Sequence, residues 1–99
     1  MKFGLSADNW SLIEKLLILP LKEKGARIWV FGSRATNKHR PFSDIDILYE
    51  ANDLLPIGFI SQIKENLEES RLPIKADLVD LSQLAETYKD RVMSERIEV

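Results

Sequence analysis

The sequence predicts a single α/β domain, a small mixed sheet of about three core strands with flanking helices. Helical and strand periodicities alternate along the chain in the order α-β-(short α)-β-α-β-α. The apolar run Ile28-Trp29-Val30-Phe31 has no polar face, as expected of a strand inside a sheet. A second run, Ile45-Asp46-Ile47-Leu48-Tyr49, follows a polar connection that opens on Gly32-Ser33 and closes on Asp44-Ile45-Asp46.

Each element has its own reason. Ser6 is an N-cap for a first helix reaching about Lys24, with Trp10, Ile13, Leu16, Leu17 and Leu21 on one side. Pro20 should kink or divide that helix, since it lacks an amide and crowds the preceding turn. Gly25 is the stop. Arg27 to Phe31 is the first strand, and residues 33–36 are able to start a short helix. Asn37 to Phe42 is a polar loop containing Pro41, and Asp44 to Glu50 is the second strand. Pro56 to Ser70 reads as a helix, with Ile57, Ile60, Ile63, Lys64 and Leu67 at helical spacing. Lys75 to Leu81 is a third strand, with Asp77, Val79 and Leu81 alternating against Ala76, Leu78 and Asp80. Ser82 is a candidate cap for a last helix over Gln83 to about Val92. Met93 to Val99 suits a helix end or a short strand equally.

With 99 residues the chain is sized for one domain, 1–99, and one core. At 44% hydrophobic and 30% charged it has the composition of an ordinary globular protein. The absence of cysteine excludes disulfides and zinc-thiolate sites and fits a cytoplasmic setting. The start, MKFGLSADNW, lacks the apolar region of a signal peptide, and the uncharged stretch Leu16 to Leu21 is too short to span a membrane. Net charge is −2, and only Arg34, Lys38 and Arg40 cluster near the Gly-Ser turn. That patch suits a nucleoside triphosphate better than long nucleic acid, with a short RNA end still open.

The connection carries the chemistry. Asp44 and Asp46, two residues apart on a strand, point to the same face at roughly 6.5–7 Å between Cα atoms. Such a pair is able to converge on metal ions about 3.5–4 Å apart. Their hard oxygens suit Mg²⁺, which binds through a few carboxylates, waters and substrate phosphates. Asp77 adds a third carboxylate if its strand lies beside the second, nearer the attacking group, with Asp80 as the fallback. Gly32 and Ser33 bring backbone amides and a hydroxyl close to a phosphate, so a side chain at Gly32 should fill space meant for phosphate. Arg34 is placed to neutralise charge as pyrophosphate leaves, or is simply solvated. His39, the only histidine, reads as solvated. Trp10, Trp29 and Phe31 read as core because they fall on the apolar phase of their elements.

At these residues the chain resembles the minimal nucleotidyltransferases, the MNT proteins of the polymerase-β-like superfamily. Their signature is an apolar residue, Gly-Ser, ten residues, then Asp-x-Asp, with a later acid on a strand. Here it reads Phe31-Gly32-Ser33, Asp44, Asp46, then Asp77 within KADLVDL, without gaps. The resemblance implies a polymerase-β-like core covering nearly the whole chain, with Gly32 and Ser33 on the triphosphate and Asp44, Asp46 and Asp77 on two magnesium ions. It implies ATP as substrate and AMP transfer to a tyrosine of a HEPN-family toxin, the chain acting as antitoxin within a possible homo- or hetero-oligomer. Larger relatives add an acceptor domain, for which this chain has no room. Two other readings stand beside the enzyme. One is a module that neutralises a partner by docking; the other is a nucleotidyltransferase for a small molecule or RNA end.

Overall fold

The computed structural model describes residues 2–99. After a tight turn at residues 2–5, the chain enters a helix in three pieces. They are α1 (Ala7–Ile13), a π turn (Glu14–Ile18) and α2 (Leu19–Glu23). Ser6 caps α1, accepting from the Asn9 amide. Pro20 divides the helix as its missing amide requires, through a widened turn. The Leu19 amide reaches back five residues to Glu14 O, which makes room for the proline ring. Gly25, in the left-handed region at φ +79°, stops it, with the Ala26 amide donating to Leu21 O and the Gly25 amide to Lys22 O.

Four strands form one sheet in the order β3-β2-β1-β4. β1 (Arg27–Phe31) and β2 (Ile45–Glu50) are antiparallel, β3 (Ala76–Asp80) runs parallel to β2, and the two-residue β4 (Ile97–Glu98) is antiparallel to β1. The mixed sheet therefore has one strand more than expected. The tail resolves into both of its readings: α4 (Glu86–Glu95) continues past Val92, and Ile97 then pairs with Val30. β1 is internal, as its two-sided apolar pattern requires.

Strand alternation divides the sheet into two faces. Ile28, Val30, Ile45, Ile47 and Tyr49 face the main core with Ile13, Leu17 and Leu21 from the first helix and Ile63 and Leu67 from α3 (Phe59–Glu69). Trp29 and Leu48 face the other way and are buried beneath Val92 of α4. Phe31 and Val79 on the same face stay only partly buried, so α4 covers only part of it. No helix among the described residues is long and apolar enough to cross a membrane.

Three local expectations fail for identifiable reasons. The helix expected from Pro56 starts at Phe59, because Gly58 is left-handed at φ +81° and the Phe59 amide closes a turn onto Pro56 O. Ile57 is thereby thrown fully into solvent, as is Leu54. Residues 33–36 form no α-helix; a 3₁₀ turn at Gly32–Arg34 replaces it. Ser82 caps nothing. Its amide and hydroxyl both donate to Asp80 Oδ1, which holds a 3₁₀ turn at Leu81–Gln83, and α4 starts later.

This division of α3 sets a measurable contrast. Ile63→Ala removes a buried side chain and should destabilise by about 2–5 kcal/mol. Ile57→Ser should stay within about 0.5 kcal/mol of the parent. Urea unfolding of both variants measures the difference, and equal losses would return Ile57 to the core.

Candidate active site

The candidate site lies on the part of the second sheet face that α4 leaves open. β1–β2 pairing sets Asp46 opposite Phe31, and β2–β3 pairing sets Asp46 opposite Asp77. Paired residues share a face, so the two carboxylates project side by side from neighbouring strands about 4.8 Å apart. Asp44 is exposed and immediately precedes β2. Asp80, on the alternate phase of β3, pairs with Tyr49 on the core side and is spent on the Ser82 turn. Burial and the Asp80 charge both raise the Tyr49 phenol.

The turn after β1 is shaped by Asp46. Gly32 has φ +74°, and a Cβ there would collide with Asp46 Oδ2 and lie 3.4 Å from its Cγ. The glycine is thus required twice over, by its backbone conformation and by the carboxylate seated against it. The space a side chain would fill is the carboxylate's, which differs from the expectation that it is a phosphate's. Gly32 O accepts from the Ala35 and Thr36 amides and from Thr36 Oγ1, closing the turn. Ser33 is half-buried within it, and no side chain caps its leading amides.

Arg34 is placed elsewhere than its expected role demands. It is 2% exposed and points into the connection between Gly32 and Asp44. Its Nε and one terminal nitrogen donate to Ser43 O at 3.0 and 2.8 Å, and that same nitrogen reaches Pro41 O at 3.2 Å. The other terminal nitrogen donates to Phe3 O at 2.9 Å. A guanidinium used this way positions the loop that carries Asp44 rather than a leaving pyrophosphate. Burial lowers its pKa and Asp44 nearby raises it. The Phe3 end is itself strained: Phe3 has φ +54° and is held against Trp10 at 5.3 Å between ring centroids. His39 is not solvated either. Its ring packs on Gly4, and its Nδ1 is buried without a hydrogen-bond partner.

Electrostatically the site is acidic. Burial first, then the charges of Asp77 and Asp44, raise the Asp46 pKa. Among the described residues Asp46 has no ion-pair partner, whereas Asp77 meets Lys75 Nζ at 3.3 Å. With the lysine side chain 72% exposed, that contact is a weak, salt-screened pair. Sequence reasoning gave Lys75 no role; the available signal was its place two residues before Asp77. No three His, Cys, Asp or Glu side chains among the described residues converge closely enough to hold an ion by themselves.

Two outcomes test this geometry. Because the Asp46 pKa is raised in the folded chain, its ionised form opposes folding above that pKa, and the penalty is relieved as pH falls through it. Asp46→Asn should therefore raise the melting temperature at neutral pH, with the gain shrinking under mild acid. A gain that grows on acidification would reverse the sign. Arg34→Met leaves buried carbonyls without donors and should cost about 2 kcal/mol or more in urea unfolding. A neutral result would mean that Arg34 is not the clamp.

Comparison with known proteins agrees with this geometry. The family model for polymerase beta nucleotidyltransferases matches residues 17–99. Haemophilus influenzae MntA, named a probable protein adenylyltransferase, is 32% identical over 65 residues, which are 64% of this chain and 55% of that protein. The chain thus spans about half of that relative's length. Methanocaldococcus jannaschii MJ0435, with a name of the same kind, is 32% identical over 85 residues, 86% of this chain and 90% of that one. A solved minimal nucleotidyltransferase superposes with TM-score 0.72 at 27% identity, covering all of this chain and 97% of its own. A toxin–antitoxin structure with AMP-PNP gives TM-score 0.66 at 27% identity over 86% of this chain and 70% of that one. A complex of a tri-AMPylated Shewanella oneidensis HEPN toxin with its MNT antitoxin gives 0.60 at 27% over 91% and 67%. The acid pair beneath a Gly-Ser turn and the match over most of the chain lead to one conclusion: this chain belongs to the polymerase beta nucleotidyltransferase family.

Proposed function

We propose that the chain is a metal-dependent protein adenylyltransferase that moves AMP from ATP onto a tyrosine of a HEPN-family toxin and so acts as its antitoxin. The observation that carries this reading is the register of Asp46 with Asp77, directly beside the Gly32-Ser33 turn. The names of the relatives and the two toxin–antitoxin structures support the same reaction and partner class.

In this reading the uncapped amides of the turn and the Ser33 hydroxyl hold the triphosphate. Asp44, Asp46 and Asp77 hold magnesium. The donor set fits a hard divalent cation, since burial and then the neighbouring carboxylates disfavour charge on Asp46 and a cation would relieve it. Because no three of these side chains converge closely enough by themselves among the described residues, a bound cation would draw its remaining ligands from substrate phosphates and water. Bound there, magnesium supplies charge neutralisation for the phosphates and lowers the acceptor's proton affinity. The chain's residues orient the rest. The acceptor oxygen bonds to the α-phosphorus and the bond to the β-phosphate oxygen breaks. Pyrophosphate leaves with the electron pair, and the hydroxyl proton is released to solvent. Arg34 keeps Asp44 in place without touching the nucleotide.

The test is co-expression with the product of the adjacent gene, expected to be a HEPN-family protein, followed by intact-mass measurement. Wild type should add AMP, and Asp77→Asn should lower the transfer rate by about a hundredfold or more while the two proteins still co-purify. Asp44→Asn with Asp46→Asn should abolish transfer in a folded protein. Full toxin neutralisation with no mass change in any form would overturn transfer and leave docking as the activity.

A further inference from the structure

β3 is the outer strand of the sheet, and the main chain on its far side is open. All five of its residues are half-exposed, whereas β2 beside it buries Ile45, Ile47, Leu48 and Tyr49. Among the described residues no backbone outside β2 bonds to β3. The direction of its free groups follows from one bond. Lys75 O accepts from the Ile45 amide, so Lys75 turns its N–H and C=O toward β2. In a parallel ladder this alternates, so Asp77 and Val79 also point inward while Ala76, Leu78 and Asp80 present theirs outward.

A groove of about 780 Å³ runs along that edge. On the core side it is walled by Leu67, Leu72, Ile74 and Leu78, with Lys64 of α3 at its rim; on the other side it reaches Asp46 and Asp77. An apolar trough, an open strand edge and the acid pair are therefore one continuous surface.

From this we infer that the acceptor protein presents its hydroxyl residue on an extended segment that adds to β3 as a fifth strand, bonding to the outward groups of Ala76 and Leu78. This rests on the proposed transferase reading and specifies how that site takes its acceptor. Register then selects the sequence. Ala76 and Leu78 flank Asp77, so the incoming residue opposite Asp77 projects onto the acid face, within one strand spacing of that carboxylate. Its two neighbours project to the other side, into the trough of Leu67, Leu72 and Ile74. The occupant is thus an extended apolar–hydroxyl–apolar segment, and with both Lys64 and Glu68 on the α3 wall its selection rests on register and apolar contact rather than on charge. Main-chain bonds supply affinity and the alternating side chains supply specificity, as in other strand additions.

The probe is a ten-residue peptide of alternating valine and threonine with one central tyrosine, added with magnesium and AMP-PNP to isotope-labelled chain. Amide exchange at Ala76 and Leu78 should slow at least tenfold on peptide addition, while Asp77 and Val79, already bonded to β2, hold their rates. Ala76→Pro removes an outward amide that the fold does not use, a substitution an edge strand tolerates. It should keep AMP-PNP affinity and lose peptide protection at Leu78. With ATP in place of AMP-PNP, it should label the peptide at least tenfold more slowly than wild type. Protection without any labelling would keep the docking edge and overturn the transferase reading. Labelling at equal rates by wild type and Ala76→Pro, or no change in exchange at Ala76 and Leu78 at millimolar peptide, would overturn the edge. The wild-type exchange measurement decides the matter by itself if the proline variant does not fold.

Discussion

The site depends on how closely Gly32 and Asp46 are packed together. Antiparallel pairing puts Asp46 across from Phe31, the last residue of β1. The chain must turn at the next residue, and the carboxylate occupies the volume a side chain would need there. Strand register, turn conformation and acid position are thus one constraint. Nothing larger than glycine satisfies it, and a shift of one residue in β2 would send Asp46 into the core and Ile45 and Ile47 into solvent.

That constraint leaves the connection 32–44, with no regular structure beyond the 3₁₀ turn, to be held in place, and a buried cation does so. Arg34 satisfies carbonyls at Phe3, Pro41 and Ser43, tying the N-terminal turn and the end of the loop to the end of the 3₁₀ turn. Asp44 follows Ser43 directly, so the clamp ends next to an acid of the site. A carbonyl-bound guanidinium is a better clamp than a lysine would be, because its planar fork serves several acceptors at once. The N-terminal turn that supplies Phe3 O is steadied in turn by Trp10 and by the His39 ring on Gly4.

Much of this was legible in the sequence where one local rule governs the outcome. Arg27–Phe31 is an internal strand because both faces are apolar. Asp77 rather than Asp80 joins the acids because alternation on β3 leaves only one phase on the open face. What was not legible depends on distant partners. Arg34 reads as a phosphate contact beside Gly-Ser, and only the approach of Phe3 and Ser43 carbonyls turns it inward. The pairing that makes β4 a strand is with Trp29 and Val30, some 70 residues earlier. Ile57 fits the helical period of α3, but a left-handed Gly58 outweighs periodicity.

The two faces of the sheet also explain why the acids are tolerated. A carboxylate at Asp46 opposes folding through burial and through Asp77 and Asp44. The main core on the opposite face, with Ile28, Val30, Ile45 and Ile47 fully buried, stabilises the same strands independently of the site. The penalty is confined to one end of one face, where α4 does not reach and β3 has no outer neighbour. Openness and repulsion therefore coincide: the part of the sheet the chain leaves bare is the part whose crowded carboxylates a cation would stabilise.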